Sequence, residues 1–165
     1  MGFFVSHTTR GFLLAEIVVI VAIVAILGSV VTVNVMESHR RANDTQRKSD
    51  MQTLQAGFRV YRDTYSTSTY PSFPDGDLIG DGGGIDTIIA SYVTGTISDP
   101  LNRAPNRYYY DSQYNCGGTN RTILLAETME QSSNGNYQTV CGVSTESLGS
   151  TGVTPTASSY IVILK

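Results

Sequence analysis

The side chains that carry catalysis or bind metals are scarce in this 165-residue chain. It has two histidines and two cysteines, and it lacks both a Gly-x-Ser-x-Gly nucleophile motif and a glycine-rich phosphate loop. Cys116 and Cys141 do not have the spacing of zinc ligands, and His7 and His39 lie far from them in sequence. We therefore expect a protein that is not an enzyme and that needs no cofactor.

Charged residues are also few, and no basic surface is evident. They make up 15% of the chain, and the net charge is −3. Proteins that bind nucleic acid present a basic stripe, often with interleaved aromatic residues, and no such stripe occurs here. We expect no specific nucleic-acid partner.

What the sequence does have is a long apolar run near its start. From Ile17 to Val33 it contains no Lys, Arg, Pro, Asn or Gln. About 20 apolar residues are enough to cross a bilayer, and a single segment in lipid satisfies its backbone only as a helix. Residues 12–36 are therefore predicted to form a transmembrane helix. A secretory signal peptide has a shorter apolar core and a cleavage site after it, and an uncut membrane anchor is the other alternative.

One carboxylate, Glu16, lies at the entrance to this run. A charge at the centre of a membrane helix costs about 2.5–3.5 kcal/mol on insertion scales. Glu16 therefore needs a positively charged partner, unless it lies in water at the membrane edge. Both interpretations are open at this point.

The segment Gly11-Phe12-Leu13-Leu14-Ala15-Glu16 resembles the prepilin signal of type IV pilins and type II secretion pseudopilins. The resemblance implies that residues 1–11 are a leader and that prepilin peptidase cleaves between Gly11 and Phe12. It also implies N-methylation of Phe12 and an assembly role for Glu16, which would pair with the new amino terminus of a neighbouring subunit. Residues 12–36 would then be the polymerisation helix as well as the anchor.

The helix is predicted to continue beyond the apolar run, over residues 37–66. This segment has no proline, and its second half carries apolar residues at alternating steps of three and four, which is typical of an amphipathic helix. The stripe consists of Met51, Leu54, Phe58, Tyr61 and Tyr65. We expect it to pack against a sheet, although a coiled-coil partner would use the same stripe.

The remaining residues, 67–165, are predicted to form a globular domain outside the cytoplasm, with a variable loop at 67–107 and a small sheet at 108–165. Gly117-Gly118 and Asn134-Gly135 are turn signals between the first three predicted strands. The strands are predicted at Tyr108–Tyr110, Thr122–Thr128, Tyr137–Val140 and, at an edge of the sheet, Tyr160–Leu164.

Cys116 and Cys141 are predicted to form a disulfide across this region, and two unpaired buried thiols are the alternative. The bond would close a loop of about 24 residues and contribute on the order of 3 kcal/mol. It requires an oxidising compartment. The positive-inside rule points the other way, because Arg40, Arg41, Arg47 and Lys48 follow the apolar run while Arg10 alone precedes it.

An acidic, glycine-rich segment within the loop resembles a calcium-binding loop. Its acidic residues occupy loop positions one, three, seven and twelve, with glycine at position six; they are Asp75, Asp77, Asp81 and Asp86. Position five is Ile79, however, and no second helix is predicted. A flexible, solvated loop is the default interpretation, and calcium is the weaker one.

These observations predict an α+β, pilin-like fold, in which a long N-terminal helix with a membrane-spanning first half packs on a small antiparallel sheet. The resemblance implies a structural subunit of a type IV pilus or type II secretion pseudopilus. Its partners would be itself, other pilin-like subunits, prepilin peptidase and an inner-membrane assembly platform. The precursor would lie in the cytoplasmic membrane, and the filament in the periplasm or at the cell surface. The alternatives are an uncleaved single-pass anchor carrying an extracellular binding domain, and a calcium-binding surface protein.

Overall fold

The computed structural model describes residues 14–65, 69–142 and 147–165, with the side chains of 30–34 and 150 excepted. The leader 1–11 and the predicted cleavage and methylation residues Gly11 and Phe12 lie outside these ranges. In chain order the elements are α1 (Leu14–Tyr65), β1 (Asp77–Ile79), α2 (Gly84–Ile89), β2 (Tyr108–Cys116), β3 (Thr119–Ala126), α3 (Tyr137–Cys141) and β4 (Tyr160–Ile163), with short 3-10 turns at Ser132–Asn134 and Gly149–Thr151.

The fold is α+β, with a long N-terminal helix and one small antiparallel sheet, as predicted. The four strands lie in the order β1-β2-β3-β4, and every neighbouring pair is antiparallel. Gly117 and Gly118 connect β2 to β3 with φ angles of 64° and 81°. A two-residue hairpin turn with positive φ at both positions suits glycine, because glycine has no Cβ to clash there.

The chain divides into two units, Met1–His39 and Arg40–Lys165. In the first unit, the described residues from Leu14 onward belong to α1. Across the described ranges 14–65, 69–142 and 147–165, no helix is both long enough and apolar enough to cross a membrane. The membrane-spanning role of residues 12–36 stays a prediction.

In the second unit, one face of the sheet packs against the rear part of α1. Met51, Leu54 and Phe58 are each no more than 1% exposed, as the predicted stripe requires. The ring of Phe58 stacks on that of Tyr110 at 4.7 Å between centroids. The fully buried stripe ends at Phe58, because Tyr61 is half-buried and Tyr65 is 55% exposed. The rings of Tyr61 and Tyr65 contact each other.

The opposite face of the sheet is covered by α3 and by the segment around Leu148. This second core consists of Tyr109, Tyr114, Cys116, Ile123, Leu125, Tyr137, Cys141, Leu148 and Ile161. Alternate residues of a strand point to opposite faces, so Tyr109 lies here while Tyr108 and Tyr110 face α1. A register irregularity between Asp111 and Tyr114 shifts this alternation.

Two secondary-structure predictions were wrong. Tyr137–Val140 is not a strand, because residues Tyr137–Cys141 form the helix α3. Four positions separate Tyr137 from Cys141, so one helical turn places both on the face that packs against β2. The segment predicted as a variable loop contains β1 and α2, and β1 pairs with Tyr108–Tyr110.

Candidate functional site

The N-terminal part of α1 presents apolar side chains in every direction. Between Leu14 and Leu27, the exposed fraction of the large apolar side chains runs from 49% for Ile20 to 81% for Leu14. Isolated exposed apolar residues are ordinary, but a contiguous apolar surface of this length marks contact with lipid or with another protein. This exposed apolar segment, residues 14–29, is the first candidate site.

Glu16 lies in the first turn of α1 and is exposed. Its neighbours in sequence, Ala15 and Ile17, are exposed as well. Glu16 is therefore accessible to a cation supplied by another chain. The predicted partner, the amine of Phe12, lies outside the described residues.

A second cluster of polar groups is buried beneath the rear part of α1. Arg47 is 0% exposed, and its guanidinium forms a two-bonded pair with Asp99, from Nε to Oδ2 at 2.7 Å and from Nη2 to Oδ1 at 3.1 Å. Its Nη1 donates to Asp44 Oδ1 at 2.9 Å. The carboxylate of Glu130 lies 3.5 Å from the same nitrogen. The charge and hydrogen bonds of Asp99 and Asp44 raise the pKa of Arg47 although burial opposes this, so the cluster holds a permanent cation.

Asp44 connects α1 to the segment that follows β3. Its carboxylate accepts hydrogen bonds from the backbone N–H groups of Glu130 at 2.8 Å and Gln131 at 2.9 Å, and from Asn134 Nδ2 at 2.8 Å. Burial alone would raise the pKa of Asp44. The bonds from Asn134, Gln131, Glu130 and Arg47 outweigh it, and the pKa is lowered. Asp44 is therefore ionised at neutral pH.

A second buried carboxylate of α1, that of Asp50, joins this helix to the sheet. Asp50 Oδ2 accepts a hydrogen bond from the Tyr108 hydroxyl at 2.8 Å, and its Oδ1 accepts one from Gln46 Nε2 at 2.6 Å. Burial, together with the bond to Asp50, raises the pKa of Tyr108. The hydroxyl is therefore a hydrogen-bond donor at any physiological pH.

We call the set Asp44, Arg47 and Asp99 the Arg47 cluster. Its geometry ties two connecting segments, those around Asp99 and Glu130, to one face of α1. Removing one partner from a buried ion pair leaves an uncompensated charge, so these three residues act as a unit. The arrangement fixes positions; it presents no group to a substrate, because Arg47, Asp44 and Asp99 are at most 3% exposed.

The Arg47 cluster was not predicted from the sequence. Most residues between Glu37 and Asp50 are polar, yet Asp44 and Arg47 continue the buried stripe of α1 at the same steps of three and four. Two features of the sequence indicate the buried pair. Asp44 and Arg47 are in phase with the apolar stripe, and they carry opposite charges three positions apart.

The predicted disulfide is present. Cys116 at the end of β2 is bonded to Cys141 at the end of α3, and both residues are 4% exposed. The hydroxyls of Tyr114 and Tyr137 lie 2.5 Å apart beside it. Together these contacts fasten α3 to the sheet.

The four aspartates of the calcium hypothesis are not brought together. Asp77 belongs to β1 and accepts the N–H of Ile85 at 2.8 Å, while Asp86 accepts those of Gly80 and Gly82 at 2.8–3.0 Å. Asp81 accepts the N–H of Gly83 at 2.7 Å. In the part of the chain that the structure describes, no group of three or more acidic, His or Cys side chains is arranged to hold a metal ion.

These carboxylates instead shape the turn between β1 and α2, where backbone N–H groups would otherwise lack acceptors. The segment interpreted as a flexible loop is therefore an ordered turn.

Comparison of the chain with models of known families, with curated proteins and with solved structures finds no match in any of the three.

Proposed function

We propose that this chain is a structural subunit of a type IV pilus or type II secretion pseudopilus. The single observation that carries the proposal is the exposed apolar segment 14–29 with one carboxylate, Glu16, in its first turn. An apolar helix surface of this kind is stable only when lipid or other apolar helices cover it. The prepilin-type sequence before it supports the filament interpretation.

In the proposed pathway, residues 12–36 anchor the precursor in the cytoplasmic membrane, with the unit Arg40–Lys165 outside the cytoplasm. Prepilin peptidase removes residues 1–11, and methylation follows at Phe12. Cleavage creates an α-amine, whose ordinary pKa is near 8. It is therefore largely protonated at neutral pH and can pair with the Glu16 carboxylate of a neighbouring subunit.

The disulfide Cys116–Cys141 supports the outward orientation of the second unit. Disulfides persist in secreted and periplasmic proteins and are rare in the cytoplasm. Four basic residues after the apolar run favour the opposite orientation, but Arg47 is consumed by the buried pair with Asp99. In the folded unit the charge of Arg47 is thus not presented at a membrane, whereas Arg40, Arg41 and Lys48 still favour the opposite orientation.

Intact-mass analysis tests the processing step. We expect protein from a host with prepilin peptidase to have lost residues 1–11 and gained one methyl group, and protein from a peptidase-deficient host to begin at Met1. Gly11→Val is the matched variant, because a side chain at the cleaved bond should prevent cleavage in the first host. A chain that begins at Met1 in both hosts would contradict the proposal and favour the uncleaved anchor.

A further inference from the structure

One edge of the sheet carries a segment that is suited to pairing with another strand. β4 is the outermost strand, and the sequence around it, Tyr160-Ile-Val-Ile-Leu164, is β-branched and aromatic, with no charge and no proline. Segments of this composition at an exposed edge are prone to pair with the same segment of another chain. Such an edge needs a cover.

The hydrogen-bond pattern shows which backbone groups face outward. The Leu164 N–H donates to Thr122 on β3 at 2.9 Å. Since the direction of these bonds alternates along an antiparallel strand, the N–H and C=O groups of Ile161 and Ile163 point away from β3. These are the groups that a fifth strand would bind.

The side chain of Asn136 occupies the place of that fifth strand. Its Oδ1 accepts the Ile161 N–H at 2.7 Å, and its Nδ2 donates to the Ile161 carbonyl at 3.0 Å. This is the same pair of bonds that a residue on an added antiparallel strand would form. The backbone N–H groups of Asn136 and Tyr137 both donate to the Ser159 carbonyl, at 3.0 and 3.1 Å.

Asn136 bonds to the sheet edge instead of capping its own helix. It stands at the N-cap of α3, where an Asn side chain ordinarily accepts a bond from the first turn of the helix. Here the side chain makes no capping bond. The amide is directed to the sheet edge, and the disulfide at the other end of α3 holds the helix beside β2.

We propose that Asn136 blocks the β4 edge against pairing with β4 of a second copy of this chain. The segment Tyr160–Leu164 is self-complementary when antiparallel, because two identical edges can exchange the outward bonds of Ile161 and Ile163 about a two-fold axis. A second copy is therefore the occupant that the uncovered edge fits. The inference is independent of the proposed filament, which uses residues 14–29.

The test uses the full chain in detergent, with Asn136→Ala compared with wild type and with Asn120→Ala. Asn120 is an exposed residue of β3 in the same sheet, so it controls for the loss of an amide. We expect hydrogen exchange at the Ile161 amide to be about tenfold faster in Asn136→Ala, as the loss of one net hydrogen bond implies. We also expect its particle mass, measured by light scattering, to rise with protein concentration.

A second variant shows whether that association uses the edge. Ile163→Pro removes the outward N–H of Ile163 and leaves the bonds to β3, because proline is tolerated where the N–H faces outward. Asn136→Ala with Ile163→Pro should exchange rapidly at Ile161 yet keep the particle mass of wild type. If Asn136→Ala does not fold, Asn136→Ser replaces it, since serine removes the amide and remains a good N-cap.

Two results would overturn the proposal. One is a particle mass of Asn136→Ala that equals that of Asn120→Ala, at any rate of exchange. The other is association that persists unchanged in the double variant.

Discussion

The front and rear parts of α1 differ in which side chains are exposed and which are buried. In residues 14–29 the apolar side chains are exposed on all sides, whereas in the rear part Arg47 and Asp44 are at most 1% exposed. Hydrophobicity alone would rank these segments the other way. Burial in this chain therefore depends on available partners: Arg47 is paired with Asp99 and Asp44, whereas the large apolar side chains between Leu14 and Leu27 are exposed and need another molecule to cover them.

The largest effect is expected from removal of the buried cation. Arg47→Met should lower the free energy of unfolding of the full chain by about 3–5 kcal/mol, because Asp44 and Asp99 would remain buried without a counter-charge. Urea unfolding in detergent, followed by near-ultraviolet circular dichroism, measures this. Arg40→Met is the matched control, since Arg40 is exposed and surface substitutions change stability by about 0.5 kcal/mol or less. Equal stability of the two variants would contradict the assigned role.

The same truncation at a buried and at an exposed leucine of α1 should have different effects on stability. Leu54 is 1% exposed and Leu27 is 62% exposed. Leu54→Ala should destabilise the chain by about 2–5 kcal/mol, because it leaves a cavity in the core. Leu27→Ala should change the unfolding free energy by about 0.5 kcal/mol or less. Urea unfolding measures both variants. A comparable loss of unfolding free energy in Leu27→Ala would mean that residue 27 is covered within its own chain.

The third prediction has the smallest expected effect. Ionisation of two buried carboxyls, those of Asp44 and Asp111, should change the free energy of unfolding in opposite directions. Hydrogen bonds lower the pKa of Asp44 below 3.8 against the effect of burial, so its stabilising contribution is complete above pH 3.8 and is lost as the pH falls through the lowered value. Burial raises the pKa of Asp111 above 3.8. Its ionised form therefore destabilises the fold at neutral pH, and protonation relieves that cost.

The measurement is the difference in unfolding free energy between wild type and each Asn variant, from pH 7 to pH 3. Asp44→Asn should be less stable than wild type at pH 7, and this difference in unfolding free energy should narrow as the pH falls. Asp111→Asn should be more stable at pH 7, because Asn keeps the acceptor for the Gln113 N–H, which lies 2.7 Å from Asp111 Oδ1. If both variants were less stable than wild type at pH 7, or both more stable, the result would contradict the pKa shifts of Asp44 and Asp111.

Local patterns predicted the elements that depend on local spacing. The rear stripe Met51, Leu54 and Phe58 was predicted from its steps of three and four, and the β2–β3 hairpin from Gly117-Gly118. β4 was also predicted at an edge of the sheet, within one residue of its end.

The elements that were missed depend on distant partners. Arg47 can be buried because it pairs with Asp99, which lies 52 positions later in the chain. The hydropathy of α1 does not show that this partner exists. β1 is a strand because Tyr108–Tyr110 pair with it, although glycine and aspartate around it favour a loop. Tyr137–Cys141 reads locally as a strand, yet its helical form brings Cys141 to Cys116.

Filament formation by a Glu16 variant tests whether residues 14–29 form an assembly surface whose register is set by one carboxylate. Glu16→Val is compared with Ser29→Val, which likewise replaces an exposed polar side chain of the same segment by an apolar one. In a host with prepilin peptidase and an assembly system, both should be cleaved. We expect Ser29→Val to yield filaments by electron microscopy and Glu16→Val to yield none. Filaments of Glu16→Val at the wild-type level would contradict the account.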